Sequence, residues 1–345
     1  MSDAVDRQAW RVLGWRVRPA LGITLWLLWL APAAWTVGRI TGREGGGALL
    51  PVQLLAFTPY VAVASVPLLA AALLARRWWL AAAATAAVAL LAACVLPRAL
   101  PDANPAGGGP RLRVLTVNML VGGADATTIV DLVRAQRVDL LAVQELTTGG
   151  GQALDAAGLA GALPHRVVYL EPHVTGLFSR FPLHDGAVRV LGSAFGQAMA
   201  TVTVPGAAPI TVESVHACAP VGAGDRWWAE DLAAQPPATV DGPVRLLLGD
   251  FNATLDHAPL RRLLATGYRD AGDVRGGGLA PTWPNDGRPV PGVTIDHVLA
   301  DRRVGVVDYR VHAIPRTDHR AVYAELVLPA APTTVAYPSR RVISS

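Results

Sequence analysis

The stretch VRLLLGDFN, from Val244 to Asn252, is an apolar run that ends in a glycine and two polar side chains. An apolar run as short as 244–249 predicts a strand that is buried on both faces. Asp250 and Asn252 follow directly, at the strand end where α/β proteins build their functional sites. The stretch therefore predicts an α/β fold with polar side chains gathered at one edge of a sheet.

Runs of the same kind lie on both sides of this stretch. We predict strands at 112–119, 138–144, 166–170, 210–217, 295–300 and 321–328. Helical patterns separate several of these runs, at 126–136 and 259–265, where apolar residues recur every three or four positions. Because strands alternate with helices, we expect an α/β fold with a large sheet core.

The first hundred residues differ in composition from the rest of the chain. Only 16% of the 345 residues are charged, and the apolar excess falls almost entirely before Pro101. Charge-free runs predict three transmembrane α-helices, at about 19–38, 52–75 and 78–97. At about 1.5 Å per residue, each is long enough to cross a hydrocarbon core of roughly 30 Å. Residues 1–100 are thus predicted to be a membrane region that lies in a lipid bilayer.

Two further features bear on the membrane region. The first run could instead be a cleaved signal peptide, since Ala31-Pro32-Ala33 resembles a cleavage site; the other two runs would then remain as the anchor. Arginines flanking the runs number six on the side of the N-terminus and five on the other. The positive-inside rule therefore favours a cytoplasmic N-terminus. With three spans in the cell membrane, the remainder of the chain would be extracytoplasmic.

The rest of the chain divides by composition into three segments. Residues 101–110 are rich in Pro, Gly and Ala, as in a flexible linker. A globular domain is expected at 111–328, and 329–345 has the composition of a loose tail.

The net charge of +4 is weak evidence for nucleic acid, because part of it comes from arginines beside the hydrophobic runs. Cys218 is the only cysteine of the domain, which excludes a disulfide within it.

Polar side chains at the ends of the predicted strands could carry chemistry. They are Asn118, Glu145, His216, Asp250, Asn252 and Asp296, with Asp318 and His319 near the end of the domain. Carboxylate, carboxamide and imidazole groups without a cysteine form an oxygen-rich set of ligands. Such a set suits Mg²⁺ or Mn²⁺ better than zinc.

These side chains lie in segments whose order is typical of one family. The segments are Val117-Asn118, Gln144-Glu145, 176–182, Ser214-Val215-His216, 249–252, Ile295-Asp296-His297 and Thr317-Asp318-His319. In this order they resemble the signature segments of the endonuclease/exonuclease/phosphatase superfamily, which includes deoxyribonucleases, abasic-site endonucleases, neutral sphingomyelinases and inositol-polyphosphate phosphatases. The resemblance covers 111–328. It implies a four-layered α/β sandwich, in which helices flank two packed mixed β-sheets, after the three transmembrane helices.

The resemblance also implies a metal site. Glu145 would be the principal ligand of Mg²⁺, with Asn118 beside it and Asp318 completing the environment of the ion. The ion would neutralise a phosphate oxygen and act as a Lewis acid. Asn118 has an alternative role, since Asn often caps a turn at a strand end. His297 is assigned no role.

The remaining side chains would act on water and on the phosphate. Asp250 would be the base that deprotonates the attacking water, and Asn252 would hold that water or the developing phosphorane oxygens. His319 would contact the phosphate, with Asp296 orienting its ring and keeping it cationic. His216 would donate a second hydrogen bond to the phosphoryl oxygens.

The sequence therefore predicts a membrane-anchored, Mg²⁺-dependent phosphoesterase that hydrolyses a phosphodiester or phosphomonoester by in-line attack of water. Its substrate would be a nucleic acid or a phospholipid headgroup, and no protein partner is predicted. One alternative is a non-catalytic binding module that retains the fold. Another is a transport or membrane-assembly protein, which the lack of acidic and basic residues inside the three runs argues against.

Overall fold

The computed structural model describes residues 2–44, 51–104, 108–172, 174–222 and 224–331. Most of the predicted tail, 332–345, lies outside the described residues, as do residues 105–107 of the predicted linker. The described part of the linker is bonded to the domain: Asn104 donates to the carbonyl of Val306 at 2.5 Å and accepts from its N–H at 2.9 Å. A freely moving tether would not make these bonds.

The N-terminal part is helical. Its helices are α1 (Ser2–Thr41), α2 (Val52–Leu55), α3 (Thr58–Leu74) and α4 (Trp78–Val95), followed by a 3₁₀ turn at Leu96–Ala99. Helices α1, α3 and α4 pack against one another through a cluster that includes Trp29, Ala72 and Ala84. Small alanine side chains on α4 permit this close approach of the helix backbones.

Two of these helices are long and apolar enough to cross a membrane, by length and composition: Leu21–Thr41 and Trp78–Ala99. The predicted span at 52–75 is divided, because α2 ends at Leu55 and α3 begins at Thr58. Pro59 occupies the first turn of α3, where a missing N–H breaks no helical hydrogen bond. Helix α3 has only 17 residues. The prediction of three transmembrane helices is thus supported for the first and third runs, and the middle run is a shorter apolar helix.

The domain that follows is built on two mixed sheets. The strands are β1 (Arg111–Asn118), β2 (Leu140–Gln144), β3 (His165–Tyr169), β4 (Thr175–Ser179), β5 (Leu183–Val190), β6 (Gly196–Val202), β7 (Ile210–His216), β8 (Val244–Asp250), β9 (Tyr268–Asp270), β10 (Asp296–Asp301), β11 (Gly305–Ala313) and β12 (Arg320–Val327). The strand orders are β11-β12-β1-β2-β4-β3 and β5-β6-β7-β8-β10-β9. Only the central pairs β1–β2 and β7–β8 are parallel among the strand pairs described.

Helices cover the outer face of each sheet. They are α5 (Ala126–Ala135), α6 (Thr148–Ala156), α7 (Leu159–Ala162), α8 (Gly224–Ala233) and α9 (Ala258–Ala265). The short helix α10 (Ala271–Val274) instead packs into the core between the sheets. Apolar clusters lie between the two sheets, between the first sheet and α5 to α7, and between the second sheet and α8 and α9. The predicted α/β sandwich of two packed mixed sheets flanked by helices is confirmed.

Side chains alternate between the two faces of each strand, and this alternation determines where the polar residues point. In β8, Leu246 and Leu248 face the other sheet, so Asp250 faces the same way. Asp296 shares its face of β10 with Val298 in the same manner. Asn118 of β1 and His216 of β7 also continue inward-facing rows. The core between the sheets therefore ends in a layer of polar side chains.

The N-terminal helices and the domain are joined by buried contacts. Val52 of α2 belongs to the apolar cluster beneath α8 and α9. Arg39 at the end of α1 donates to Asp256 at 2.6 Å, and Arg98 of the 3₁₀ turn donates to both carboxylate oxygens of Asp256. Asp256 lies on the loop that follows β8, so the helices are fixed close to the polar layer.

Candidate active site

Asn118 links two carboxylates at the centre of the polar layer. Its amide nitrogen donates to Glu145 Oε1 at 3.0 Å and to Asp250 Oδ2 at 3.1 Å. Its amide oxygen accepts from the N–H of Leu120, which fixes the orientation of the amide. Asn118 thus acts here as a donor that links the two carboxylates across the sheets, while its amide oxygen keeps one lone pair for a further contact.

Glu145 follows β2 in a left-handed backbone conformation, with φ of 54°. This conformation is uncommon for a residue other than glycine and turns the side chain towards the other sheet. Glu145 Oε2 accepts from the N–H of Val121 at 2.7 Å, and the side chain remains 22% exposed. Glu145 is therefore both held in place and open to a ligand.

Asp250 and Asn252 form a compact turn after β8. Asp250 Oδ1 accepts from the N–H of Asn252 at 2.8 Å. The Asn252 amide donates to the carbonyl of Ala217 at 3.0 Å and lies 3.3 Å from Asp250 Oδ2. Trp228 of α8 donates its indole N–H to the carbonyl of Asn252 at 3.0 Å. The buried indole therefore supports this turn.

His319 and Asp296 form a buried pair. His319 Nδ1 lies 3.0 and 3.1 Å from the two carboxylate oxygens of Asp296. His319 Nε2 lies 3.7 Å from Asp250 Oδ2. Burial alone would lower the pKa of His319, but Asp296 and Asp250 raise it to about 10. The imidazole is therefore a cation at neutral pH.

His216 stands on the other side of the carboxylates. Its Nε2 lies 3.7 Å from Glu145 Oε1 and 4.0 Å from Asp250 Oδ2, and its ring stacks on Phe195 with centroids 4.7 Å apart. Burial lowers the pKa of His216, against the opposing effect of Glu145. A neutral His216 can donate one hydrogen bond.

Asp250 is a buried carboxylate at the centre of the site, 1% exposed. Burial raises its pKa to about 7, with the His319 charge opposing this shift and Asp296 adding to it. A carboxylate with a pKa near neutrality exists in both protonation states at pH 7, as a general base requires.

Asp318 closes the site next to His319. Its Oδ2 accepts from Trp283 Nε1 at 3.0 Å and from Arg288 Nη2 at 3.0 Å. Its Oδ1 is buried with no hydrogen-bond partner, 3.9 Å from His319 Nε2. Neither Trp283 nor Arg288 was predicted as a site residue, and their sequence context gives no signal for this role.

His297 lies outside this site. It follows Asp296, so its side chain points to the opposite face of β10, where it bonds Asp270 at 2.8 Å and the carbonyl of Ala253 at 2.8 Å. Its imidazole is fully occupied by structural contacts. The assignment of no catalytic role agrees with this placement.

The donor set fits a hard divalent cation. Oxygens of Glu145 and Asp250 lie within 3.1 Å of the shared Asn118 amide, and Asp318 contributes a buried oxygen without a partner. Asp250, Asp296 and His319 also offer ligand atoms within 4.8 Å of one another. In this second group, Asp296 is already bonded to His319, and a cationic imidazole does not bind a metal.

A cavity of about 650 Å³ opens above these residues. Its floor contains Glu145, His216, Asp250, Asn252 and His319. Its walls are mostly apolar and include Gln53 and Phe57 of the membrane region. These two were not predicted as site residues, although Thr58-Pro59 carries a helix-start signal that could have revealed the break beside them.

The comparisons with known proteins agree with this architecture. The family model described as "Endonuclease/Exonuclease/phosphatase family" matches residues 115–319, and the chain belongs to this family. Members of the family are generally metal-dependent phosphoesterases. No curated protein matches the chain.

Several solved structures are similar to the chain. An endonuclease/exonuclease/phosphatase from Beutenbergia cavernae is 21% identical, with 65% of this chain and 73% of that chain covered and a TM-score of 0.48. Sphingomyelinase C from Streptomyces griseocarneus is 19% identical, with coverages of 63% and 99% and a TM-score of 0.45. A humanized TDP2 from D. rerio is 12% identical, with coverages of 63% and 98% and a TM-score of 0.50. At this identity, the last likeness supports the fold alone.

Proposed function

We propose that the protein is a membrane-anchored, Mg²⁺-dependent phosphoesterase that hydrolyses a phosphodiester or phosphomonoester by in-line attack of water. The observation that carries the proposal is the contact network between the two sheets, in which Asn118 bonds both Glu145 and Asp250 while Asp250 lies 3.7 Å from the cationic His319. Carboxylates for a metal and one cationic imidazole for a phosphate thus lie beside the buried carboxylate of Asp250.

Each residue of the site has a separate role in the proposed hydrolysis. Asp250 accepts a proton from water, and Asn252 positions that water through its amide. His319 binds a phosphoryl oxygen as a cation, with Asp296 fixing its ring, and His216 donates a second hydrogen bond. Stabilising charge on the phosphoryl oxygens in the transition state is the larger effect of such donors.

Glu145 and Asp318 would hold the metal, with Asn118 orienting Glu145 through its amide nitrogen. When bound, Mg²⁺ supplies Lewis-acid stabilisation of the phosphate charge. Mn²⁺ has the same preference for oxygen ligands and is a substitute to test.

The membrane assignment rests on the two apolar helices Leu21–Thr41 and Trp78–Ala99. Arg39 at the end of α1 and Arg98 after α4 bond the same carboxylate of the domain, so both helices end on the same side. We propose that both cross the bilayer towards that side, that α3 returns the chain between them, and that the catalytic domain at 111–328 is extracytoplasmic in the cell membrane. A reporter fused after Ser345 tests the orientation. Activity of the reporter only outside the cytoplasm supports the proposal, and activity only inside overturns it.

The catalytic proposal is tested with the full chain in detergent and in vesicles. Substrates are bis(p-nitrophenyl) phosphate and p-nitrophenyl phosphate, each with Mg²⁺, with Mn²⁺ and with EDTA. We expect metal-dependent hydrolysis that falls by a factor of about 10²–10⁴ in Asp250→Asn. The matched control is Asp155→Asn, whose carboxylate forms a surface ion pair with Arg166 and should leave the rate unchanged. A folded chain that binds phosphate esters without hydrolysing any would instead be the non-catalytic binding module.

A further inference from the structure

The cavity above the catalytic residues is shared between the domain and the membrane region. From the domain, Phe195, Val221 and Val290 form part of its wall. From the membrane region, Gln53, Ala56 and Phe57 form another part, at the junction between α2 and α3. The anchor therefore does more than tether the domain, because its residues border the space that a substrate would occupy.

The junction between α2 and α3 is fixed in this position from both sides. Gln53 donates to the carbonyl of Pro220, and the Tyr60 hydroxyl donates to the carbonyl of Gly292 at 2.7 Å. On the membrane side, Trp35 of α1 donates to Thr58 Oγ1 at 3.0 Å. These bonds connect residues 53–60 to the domain at Pro220 and Gly292 and to helix α1. Phe57, which lies between them, is therefore held beside the cavity.

In the part of the chain that the structure describes, the wall of the cavity lacks the cationic side chains that would bind a polyanion such as a nucleic acid. Among the described residues, no arginine or lysine lines the cavity, whereas proteins that bind nucleic acid place cations along its backbone. Large apolar side chains at the wall are instead open to solvent, with Val221 64% exposed and Val290 39% exposed. Apolar surface that remains exposed beside a polar site is typical of a site for an amphiphilic ligand.

We propose that residues 51–60 form a hydrocarbon-binding subsite of the active site, and that the substrate is a phosphate ester with a long alkyl or acyl chain. This inference rests on the proposed function and narrows its substrate class. The phosphate binds at His319 and His216, while the chain lies against Phe57 and leaves the cavity towards the start of α3. Such a lipid reaches the catalytic residues from the bilayer without exposing its chain to water.

The test uses two diesters that differ only in their alkyl chain, hexadecyl p-nitrophenyl phosphate and methyl p-nitrophenyl phosphate. Hydrolysis is measured for the full chain in vesicles with Mg²⁺. Since each buried methylene group is worth a factor of about four in binding, a few of them give a preference of about 100-fold in kcat/KM for the hexadecyl ester. Equal kcat/KM values for the two esters would overturn the subsite and leave the proposed function standing. Hydrolysis of neither ester would contradict the proposed function itself.

Variants of the wall locate the preference. Phe57→Ala should reduce the ratio of the two kcat/KM values about tenfold, through KM of the hexadecyl ester, and Phe57→Leu should restore most of it. Val63→Ala is the matched control, because this exposed residue of α3 does not line the cavity. A ratio unchanged in Phe57→Ala would place the chain elsewhere and overturn the assignment of residues 51–60.

A comparison of two kinds of vesicle tests whether the substrate reaches the site from the bilayer that contains the protein. We expect the hexadecyl ester to be hydrolysed when it is incorporated into the vesicles that contain the protein. Ester in separate, protein-free vesicles should react at least about tenfold more slowly, because transfer of a long chain through water is costly. Equal rates in the two arrangements would show that the ester arrives through water, against the proposal.

Discussion

Arg98 and Asp256 form a bidentate ion pair, with bonds of 2.8 and 2.6 Å, in which both side chains are almost completely buried. Arg39 donates to the same carboxylate at 2.6 Å. The pair joins the end of the N-terminal helices to the loop after β8, which begins with the turn at Asp250. Two arginines that flank the apolar helices are therefore bonded to the domain and not to lipid headgroups.

Removing the shared carboxylate should destabilise the protein. In Asp256→Asn, two buried guanidinium groups lose their counter-ion, and breaking a buried pair in this way costs about 3–5 kcal/mol. We expect that loss in the free energy of unfolding, measured by denaturant titration of the full chain in detergent. Arg111→Ala is the control, since Arg111 pairs with Glu325 while 58% exposed and should cost less than about 1 kcal/mol. Equal losses in both variants would contradict the role of the buried pair.

Gly249 should not tolerate a side chain. Its φ is 151°, and a Cβ atom there would lie 2.0 Å from the carbonyl oxygen of Val215 on the neighbouring strand. We expect Gly249→Ala to lower the free energy of unfolding by at least about 3 kcal/mol, through strain and separation of β7 from β8. Gly161→Ala meets no atom within 4 Å and should stabilise α7 by about 0.5–1 kcal/mol. Thermal unfolding of the two variants, compared with the parent protein, checks both signs.

His257 should make stability depend on pH. It accepts from the N–H of Thr254 and bonds the carbonyl of Val52, and burial lowers its pKa to about 4. The folded protein therefore keeps His257 neutral while the unfolded chain binds a proton below about pH 6.5, so stability is full above that pH and falls towards pH 4. The expected loss is about 3 kcal/mol.

The contribution of His257 is isolated by comparison with a variant that cannot titrate. Unfolding of the parent protein and of His257→Gln is measured from pH 7 to pH 4. The difference between the two should shrink steadily as the pH falls. A difference that is constant with pH would show that His257 titrates normally in the folded protein.

Asp296 should control the alkaline limit of activity. Its carboxylate, with that of Asp250, holds the pKa of His319 at about 10 against the effect of burial. Activity that needs the imidazolium is therefore present below pH 10 and lost above it. In Asp296→Asn we expect this limb of the kcat/KM profile to move towards neutral pH, together with a fall in the maximum rate. Asp270→Asn alters the matching pair with His297 on the outer face of β10 and should leave the position of the limb unchanged.

Much of the domain could be predicted, because its central strands are continuous apolar runs. The predicted strands at 112–119, 210–217 and 244–249 correspond to β1, β7 and β8. Strand β5 was missed, since most of its side chains are exposed or half-buried and the run includes Asp185 and Gly186. Pairing with β6, which the sequence does not display, is what makes this segment a strand.

The polar layer could be predicted residue by residue, but not its contacts. Most of the predicted side chains end a strand or follow one, whereas Asp296 begins β10 and Asp318 and His319 precede β12. The contacts between these strand ends of the two sheets form the layer. That Asn118 presents its nitrogen to Glu145, or that Phe57 borders the cavity, depends on contacts between segments distant in sequence. The same holds for Arg39 and Arg98, which by position alone are typical headgroup anchors.

Side chains along β8 and β10 alternate between the two faces of their sheet. Leu248 and Asp250 share a face, as do Val298 and Asp296, so packing and reactivity are set by a single register. A slip of one residue in β8 would turn Asp250 towards the helices and bring Gly249 inward, and in β10 it would exchange Asp296 for His297. Under the proposed function, a molecule with a slipped β8 or β10 would lack Asp250 or Asp296 in the polar layer, so its turnover would report strand pairing as well as chemistry.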